Sequence, residues 1–201
     1  MSLRTPPATR IGLNWAGRSR GQRLLQTKGT GRVTYDHVGA TGTAPPEGWA
    51  SEAHSAELGS GLELYDHAVH ALKTWTQFDL SWVCPLDNTV PLQKGQVFGF
   101  QSRQLGVWLP HFCRIVYTFD EERADGRAFG FAYGTLTTHM LKGEERFEVT
   151  WNRDSDLVRF TISRFSQPAN FLARLAWPLT QAYQRRFLRD AVARFSDLVP
   201  S

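Results

Sequence analysis

Phe129-Gly130-Phe131-Ala132-Tyr133-Gly134-Thr135-Leu136-Thr137-Thr138-His139-Met140-Leu141-Lys142-Gly143-Glu144-Glu145-Arg146-Phe147-Glu148-Val149-Thr150-Trp151 decides the fold. From Phe129 every second residue is large (Phe129, Phe131, Tyr133), while Ala128, Gly130, Ala132 and Gly134 between them are small. That period of two is the signature of a strand with one aromatic face and one nearly bare face. A bare face lets another part of the chain approach closely. After a connection that contains Thr137, Thr138, His139 and Gly143, a second alternation sets Glu145, Phe147, Val149 and Trp151 on one face. Glu144, Arg146, Glu148 and Thr150 take the other. Glu145 therefore begins an otherwise apolar row.

A third run, Leu157 to Phe165, places Val158, Phe160 and Ile162 on one face with Arg164, and Arg159, Thr161 and Ser163 on the other. With Asn152 to Asp156 as the turn, the second and third runs form an antiparallel hairpin. Arg164 ends its apolar row as Glu145 begins one, and the two are expected to meet as an ion pair. A buried carboxylate needs a cation or several donors, because an unpaired one protonates or destabilises the fold.

Working outward, Pro45-Pro46-Glu47-Gly48 marks a turn and Ala53 to Leu58 reads as a short strand. Leu62, Tyr65, Val69, Leu72 and Trp75 recur at helical spacing and predict a helix from Gly61 to Phe78. On its opposite face Glu63, His67 and His70 are residue types that bind metals, but a polar face opposite an apolar stripe is what solvent exposure alone requires. No metal site is expected. Val97 to Gln101 and His111 to Phe119 read as two further strands. In the second, His111, Cys113, Ile115, Tyr117 and Phe119 share a face. If that face looks inward, His111 and Tyr117 join Tyr133 and Glu145 around a common space. After Pro168, the residues Phe171, Leu172, Leu175, Leu179, Tyr183, Phe187, Ala191 and Phe195 keep helical spacing, and Pro178 is expected to kink or divide that helix. The concave face of an antiparallel sheet is the expected place for its stripe.

With 201 residues, 41% hydrophobic and 12% aromatic, the chain suits one globular domain over 34–201. No apolar run reaches the roughly 20 residues that span a bilayer, and the first residues lack a signal-peptide core. A cytoplasmic location is the default expectation. Cys84 and Cys113 lie in no metal-ligand spacing and are expected to be reduced core thiols. The net charge of +4 is uneven: Arg4, Arg10, Arg18, Arg20, Arg23, Lys28 and Arg32 precede the first acid, Asp36, and the rest of the chain carries −3. Residues 1–33 thus form a basic, Gly- and Thr-rich leader, expected to be loosely ordered and able to contact phosphates or a membrane surface weakly. Lys28-Gly29-Thr30-Gly31 lacks the order of a phosphate-binding loop. No cofactor and no specific nucleic-acid partner are expected.

Several blocks carry a resemblance: Thr34-Tyr35-Asp36-His37-Val38-Gly39-Ala40-Thr41, Ala71-Leu72-Lys73-Thr74-Trp75, Cys113-Arg114-Ile115-Val116-Tyr117, Phe129 to Leu136, and Gly143-Glu144-Glu145-Arg146-Phe147. Together, over roughly Tyr35 to Phe195, the chain resembles the uncharacterised family called domain of unknown function 1990. The element order is similar to the START and pollen-allergen-like helix-grip fold, an α+β arrangement in which a curved antiparallel sheet wraps a long C-terminal helix around an apolar cavity. That likeness implies a fold and no particular reaction.

Two functions of different classes follow. One is a binding module for a hydrophobic small molecule or lipid, with Tyr117, Phe131, Tyr133, Phe147 and Phe160 as walls and Glu145, Arg164 or His111 holding a polar end. The other is an isomerase, cyclase or lyase acting on such a molecule, with Glu145 or His111 as acid or base.

Overall fold

The computed structural model describes residues 31–137 and 140–198, with Arg23 and Leu25. The expectations for most of the basic leader, and for Thr138 and His139, lie outside the described residues.

The alternating runs become strands: β1 (Ala50–Ser60), β2 (Val83–Pro85), β3 (Val97–Gln104), β4 (Val107–Arg123), β5 (Gly126–Thr135), β6 (Leu141–Asn152) and β7 (Leu157–Pro168). They make one sheet of order β1-β7-β6-β5-β4-β3-β2, antiparallel throughout. Strands β3 to β7 follow one another as a meander, and β1 closes the far edge against β7. Helix α1 (Leu62–Lys73) follows β1, while α2 (Phe171–Leu175) and α3 (Trp177–Ser196) follow β7. A curved antiparallel sheet gripping a C-terminal helix is the α+β fold that the element order predicts.

Proline 178 divides the closing helix rather than kinking it. It lies in the first turn of α3, where a missing N–H breaks no hydrogen bond. Helix α1 ends earlier than its apolar spacing predicts. The Thr74 hydroxyl donates back to the His70 and Ala71 carbonyls, Trp75 turns left-handed (φ 65°), and Thr76–Phe78 forms a short 3₁₀ turn. The buried face of α1 is Leu64, Tyr65, Ala68, Ala71 and Leu72, whereas Leu62 is exposed. Glu63 and His70 lie on its exposed side, and no group of three His, Cys, Asp or Glu able to hold a metal occurs among the described residues.

The bare face of β5 is covered as the small residues require. A Cβ on Gly134 would overlap the Tyr35 ring, and one on Gly130 would overlap the Phe119 ring. On the same outer side, Leu25 and Val33 pack against Leu86, Phe112 and Leu136, so at least these two leader residues are attached to the domain.

The main core fills one end of the concave face. Trp75 packs 4.4 Å from Phe98 and 5.6 Å from Phe131 between ring centroids, Phe78 lies 5.4 Å from Phe187, and Phe160 stacks on Phe195 at 3.8 Å. Phe131, Phe147 and Phe160 are wholly buried in this packing. Their alternation predicts them as cavity walls. Trp75, the 3₁₀ turn and Phe195 occupy that space instead.

Candidate functional site

At the other end of the concave face, α3 stands off the sheet and leaves a cavity of about 130 Å³. One water-sized group occupies roughly 10–15 Å³, so the space takes on the order of ten non-hydrogen atoms. Its floor includes Phe100 and Ser102 from β3, His111 from β4, Tyr133 from β5, Glu145 from β6, and Arg164 and Ser166 from β7. Thr180, Tyr183, Gln184 and Phe187 of α3 roof it, and Met140 is the exposed residue of its lining. Four of the sequence candidates therefore meet here: His111, Tyr133, Glu145 and Arg164. Tyr117 does not. A β-bulge between Ile115 and Tyr117 inserts one residue, so Cys113 and Ile115 point inward while Tyr117 and Phe119 turn to the outer face.

Strand register sets the polar row. Tyr133 and Arg164 lie directly opposite Glu145 on its two neighbouring strands, and Glu52 lies opposite Arg164 on β1. The expected Glu145–Arg164 ion pair is replaced: Arg164 Nη2 binds Glu52 Oε2 at 2.7 Å, and Glu145 accepts a hydrogen bond from the Tyr133 hydroxyl. One guanidinium thus stands between two carboxylates and commits to the more peripheral one. Arg164 Nη1 also donates to Ser166 Oγ at 3.3 Å, and Gln184 Nε2 of α3 donates to the same hydroxyl at 3.3 Å. Across the cavity, Ser102 Oγ and His111 Nε2 are 2.8 Å apart, Gln104 donates to Ser102 at 2.9 Å, and the His111 ring stacks on Phe100.

Burial governs the electrostatics. Desolvation raises the Glu145 pKa above the ordinary carboxylate range, opposed by the Tyr133 hydrogen bond and the Arg164 charge. The same burial, reinforced by Glu145, pushes the Tyr133 phenol and the Cys113 thiol well up. Cys113 is therefore an unreactive core thiol, and Gln101 Nε2 donates to Cys84 Sγ at 3.1 Å. Glu145 is part-buried, and its side chain lines the cavity.

Glu144, the next residue, serves the opposite face. Its carboxylate accepts from the Tyr35 hydroxyl at 2.7 Å, the Gly39 N–H at 2.7 Å, the Thr41 N–H at 2.9 Å and the Thr41 hydroxyl. Thr41 Oγ1 lies 2.8 Å from the Tyr117 hydroxyl, and the Arg146 guanidinium covers the Phe119 ring at 4.5 Å. The segment 35–42 is thereby fastened over the bare face of β5.

Compared with known proteins, residues 34–194 match the model of the family described as Domain of unknown function (DUF1990). The chain belongs to this family. It is 40% identical over 142 residues to a UPF0548 protein of Dictyostelium discoideum, covering 67% of this chain and 66% of that one. A UPF0548 protein of Arabidopsis thaliana is 32% identical over 137 residues, 67% of this chain and 65% of its own length. The chain thus spans just under two thirds of the length of these relatives. Among solved structures, a hypothetical protein of Helicobacter pylori superposes with a TM-score of 0.48 at 12% identity, over 82% of this chain and 96% of that one.

The sequence reading of this DUF1990 chain missed Glu52, Ser102, Gln104, Ser166, Tyr183 and Gln184 as members of the site. Ser102 and Gln104 continue the Phe98, Phe100 alternation beyond Gln101, and Ser166 continues Ile162, Arg164. Longer strands would have revealed all three. Glu52 required the β1–β7 pairing, and Gln184 the docking of α3, neither of which local pattern contains.

Proposed function

We propose that this protein binds a small, mainly apolar molecule of on the order of ten non-hydrogen atoms in the cavity beneath α3. Its polar end meets Glu145, Tyr133 and Arg164. The observation that carries this reading is a part-buried carboxyl with raised pKa, one hydrogen-bond donor among the described residues and a cation already committed to Glu52, facing a space that side chains do not fill. Such a group lacks a full set of partners, and a ligand donor supplies one. The volume favours a compact molecule over a whole lipid. Phe100, Tyr183 and Phe187 offer it apolar contact. The mechanism is orientation: the apolar body packs under α3 and Glu145 takes the donor.

The same raised pKa supports a second reading, in which Glu145 moves a proton to or from the bound molecule, with Tyr133 holding the carboxyl in position. His111 is the weaker candidate for that role because Nε2 is engaged by Ser102.

Titration with a fluorescent apolar probe tests the binding reading. The wild-type chain is expected to bind one probe per molecule, and Thr180→Phe, which fills the cavity from the roof, is expected to abolish binding without loss of fold. Probe binding that ignores Thr180→Phe would place the probe elsewhere and count against this cavity.

A further inference from the structure

The stripe Phe171, Leu172, Leu175 and Leu179 is helical as its spacing predicts, but it does not reach the sheet. These side chains are 72%, 70%, 67% and 45% exposed. The buried stripe of the closing helix starts only with Phe187 and runs through Leu188, Ala191 and Phe195. Four large apolar side chains at i, i+1, i+4 and i+8 form one face, since Ala176 carries the hydrogen-bond ladder between α2 and α3: its N–H donates to Leu172 O at 3.1 Å and its carbonyl accepts from Thr180 N at 2.9 Å. An exposed face of this kind marks an interaction site.

Two observations say what covers it. The first is charge. Between Asp156 and Asp190 the chain holds no acid and six arginines, of which Arg174, Arg185 and Arg189 are exposed on α2 and α3. Arg174 shares a shallow depression with Phe171 and Lys142. The second is position. Lys142 also lines the cavity, and Met140, the exposed residue at its rim, accepts a hydrogen bond from Ala169 N at 3.0 Å just before α2. The apolar helix therefore lies beside the Met140–Lys142 edge of the cavity.

We propose that α2 and the first turn of α3 dock on an anionic membrane surface. Phe171, Leu172, Leu175 and Leu179 enter the boundary between headgroups and acyl chains, and Arg174 and Lys142 meet lipid phosphates. A second copy of the chain fits poorly, because it would set arginines against arginines. Contact is peripheral, as no helix among the described residues is long and apolar enough to cross a membrane. Passage of a ligand between bilayer and cavity follows if the proposed function holds; the docking itself rests on the helix alone.

Co-sedimentation of the full chain with vesicles tests it. Binding to phosphatidylcholine vesicles containing phosphatidylglycerol is expected to exceed binding to phosphatidylcholine alone and to weaken with salt. Phe171→Ser/Leu175→Ser should bind roughly tenfold more weakly while keeping its melting temperature. Arg174→Glu, which leaves the apolar face intact, should lose the preference for phosphatidylglycerol. No vesicle binding by the wild type would overturn the proposal. So would wild-type binding by the double variant, which would assign the contact to the basic leader, or a dimer in sedimentation velocity that the double variant abolishes. Probe binding in the cavity, measured without vesicles, should be unchanged in the double variant, so failure of the cavity reading and failure of docking are separate results.

Discussion

Glu144 and Glu145 are neighbours with opposite duties, and their substitution should separate structure from site. Glu144 satisfies two backbone N–H groups and two hydroxyls, so Glu144→Gln turns at least one accepted hydrogen bond into a clash of donors. A loss of roughly 1–3 kcal/mol in chemical denaturation is expected. Glu145→Gln should behave in the opposite sense. Because burial raises its folded pKa, Glu145 takes up a proton on folding, and stability falls as pH rises from the ordinary carboxylate range through the raised value. Wild type and Glu145→Gln should therefore have equal stability at the acid end of that window and diverge above it, the variant being the more stable at pH 8. Equal stability at both ends would remove the desolvation argument. A carboxyl whose desolvation opposes folding is a candidate for function, which is why Glu145 and not Glu144 anchors the proposed site.

Strands and helices differ in how much of them the chain declares locally. The period of two in β5, β6 and β7 put the right residues on the right faces, and the small residues of β5 announced a close neighbour that proved to be Tyr35 and Phe119. Gly134→Ala tests that contact: overpacking against Tyr35 should cost about 1–3 kcal/mol and free the segment 35–42, visible as faster amide exchange there. The bulge in β4 is not legible, because both of its faces are mostly apolar and one inserted residue changes no local pattern, so the sequence leaves the strand's orientation open and does not reveal that Tyr117 faces outward. The closing helix was legible as a helix and misread as to its partner. Spacing finds an apolar face, but only the assembled sheet decides which part of that face is covered: Phe195 meets Phe160, whereas Phe171 meets solvent. Phe195→Ala should accordingly destabilise by roughly 3–5 kcal/mol, while Phe171→Ser should leave the melting temperature within a degree or two.

Across the whole molecule, one concave face is divided into a solid half and a hollow half. Trp75, Phe78, Phe131, Phe147, Phe160 and Phe195 fill the first; the rim of β3 to β7 and the start of α3 enclose the second. The helix-grip architecture was readable from element order. The division was not, because it depends on side chains projected from α1, the 3₁₀ turn and α3 together, and three of the residues named as walls lie on the solid side. The proposed binding is thereby confined to a small compartment whose polar row includes Tyr133, Glu145 and Arg164, beside an exposed apolar helix. Native mass spectrometry of the freshly purified chain tests this most directly. A reproducible adduct of one compact molecule is expected, retained by wild type and lost in Thr180→Phe. A wild-type chain that carries no adduct and takes up no apolar probe under the same conditions would contradict it.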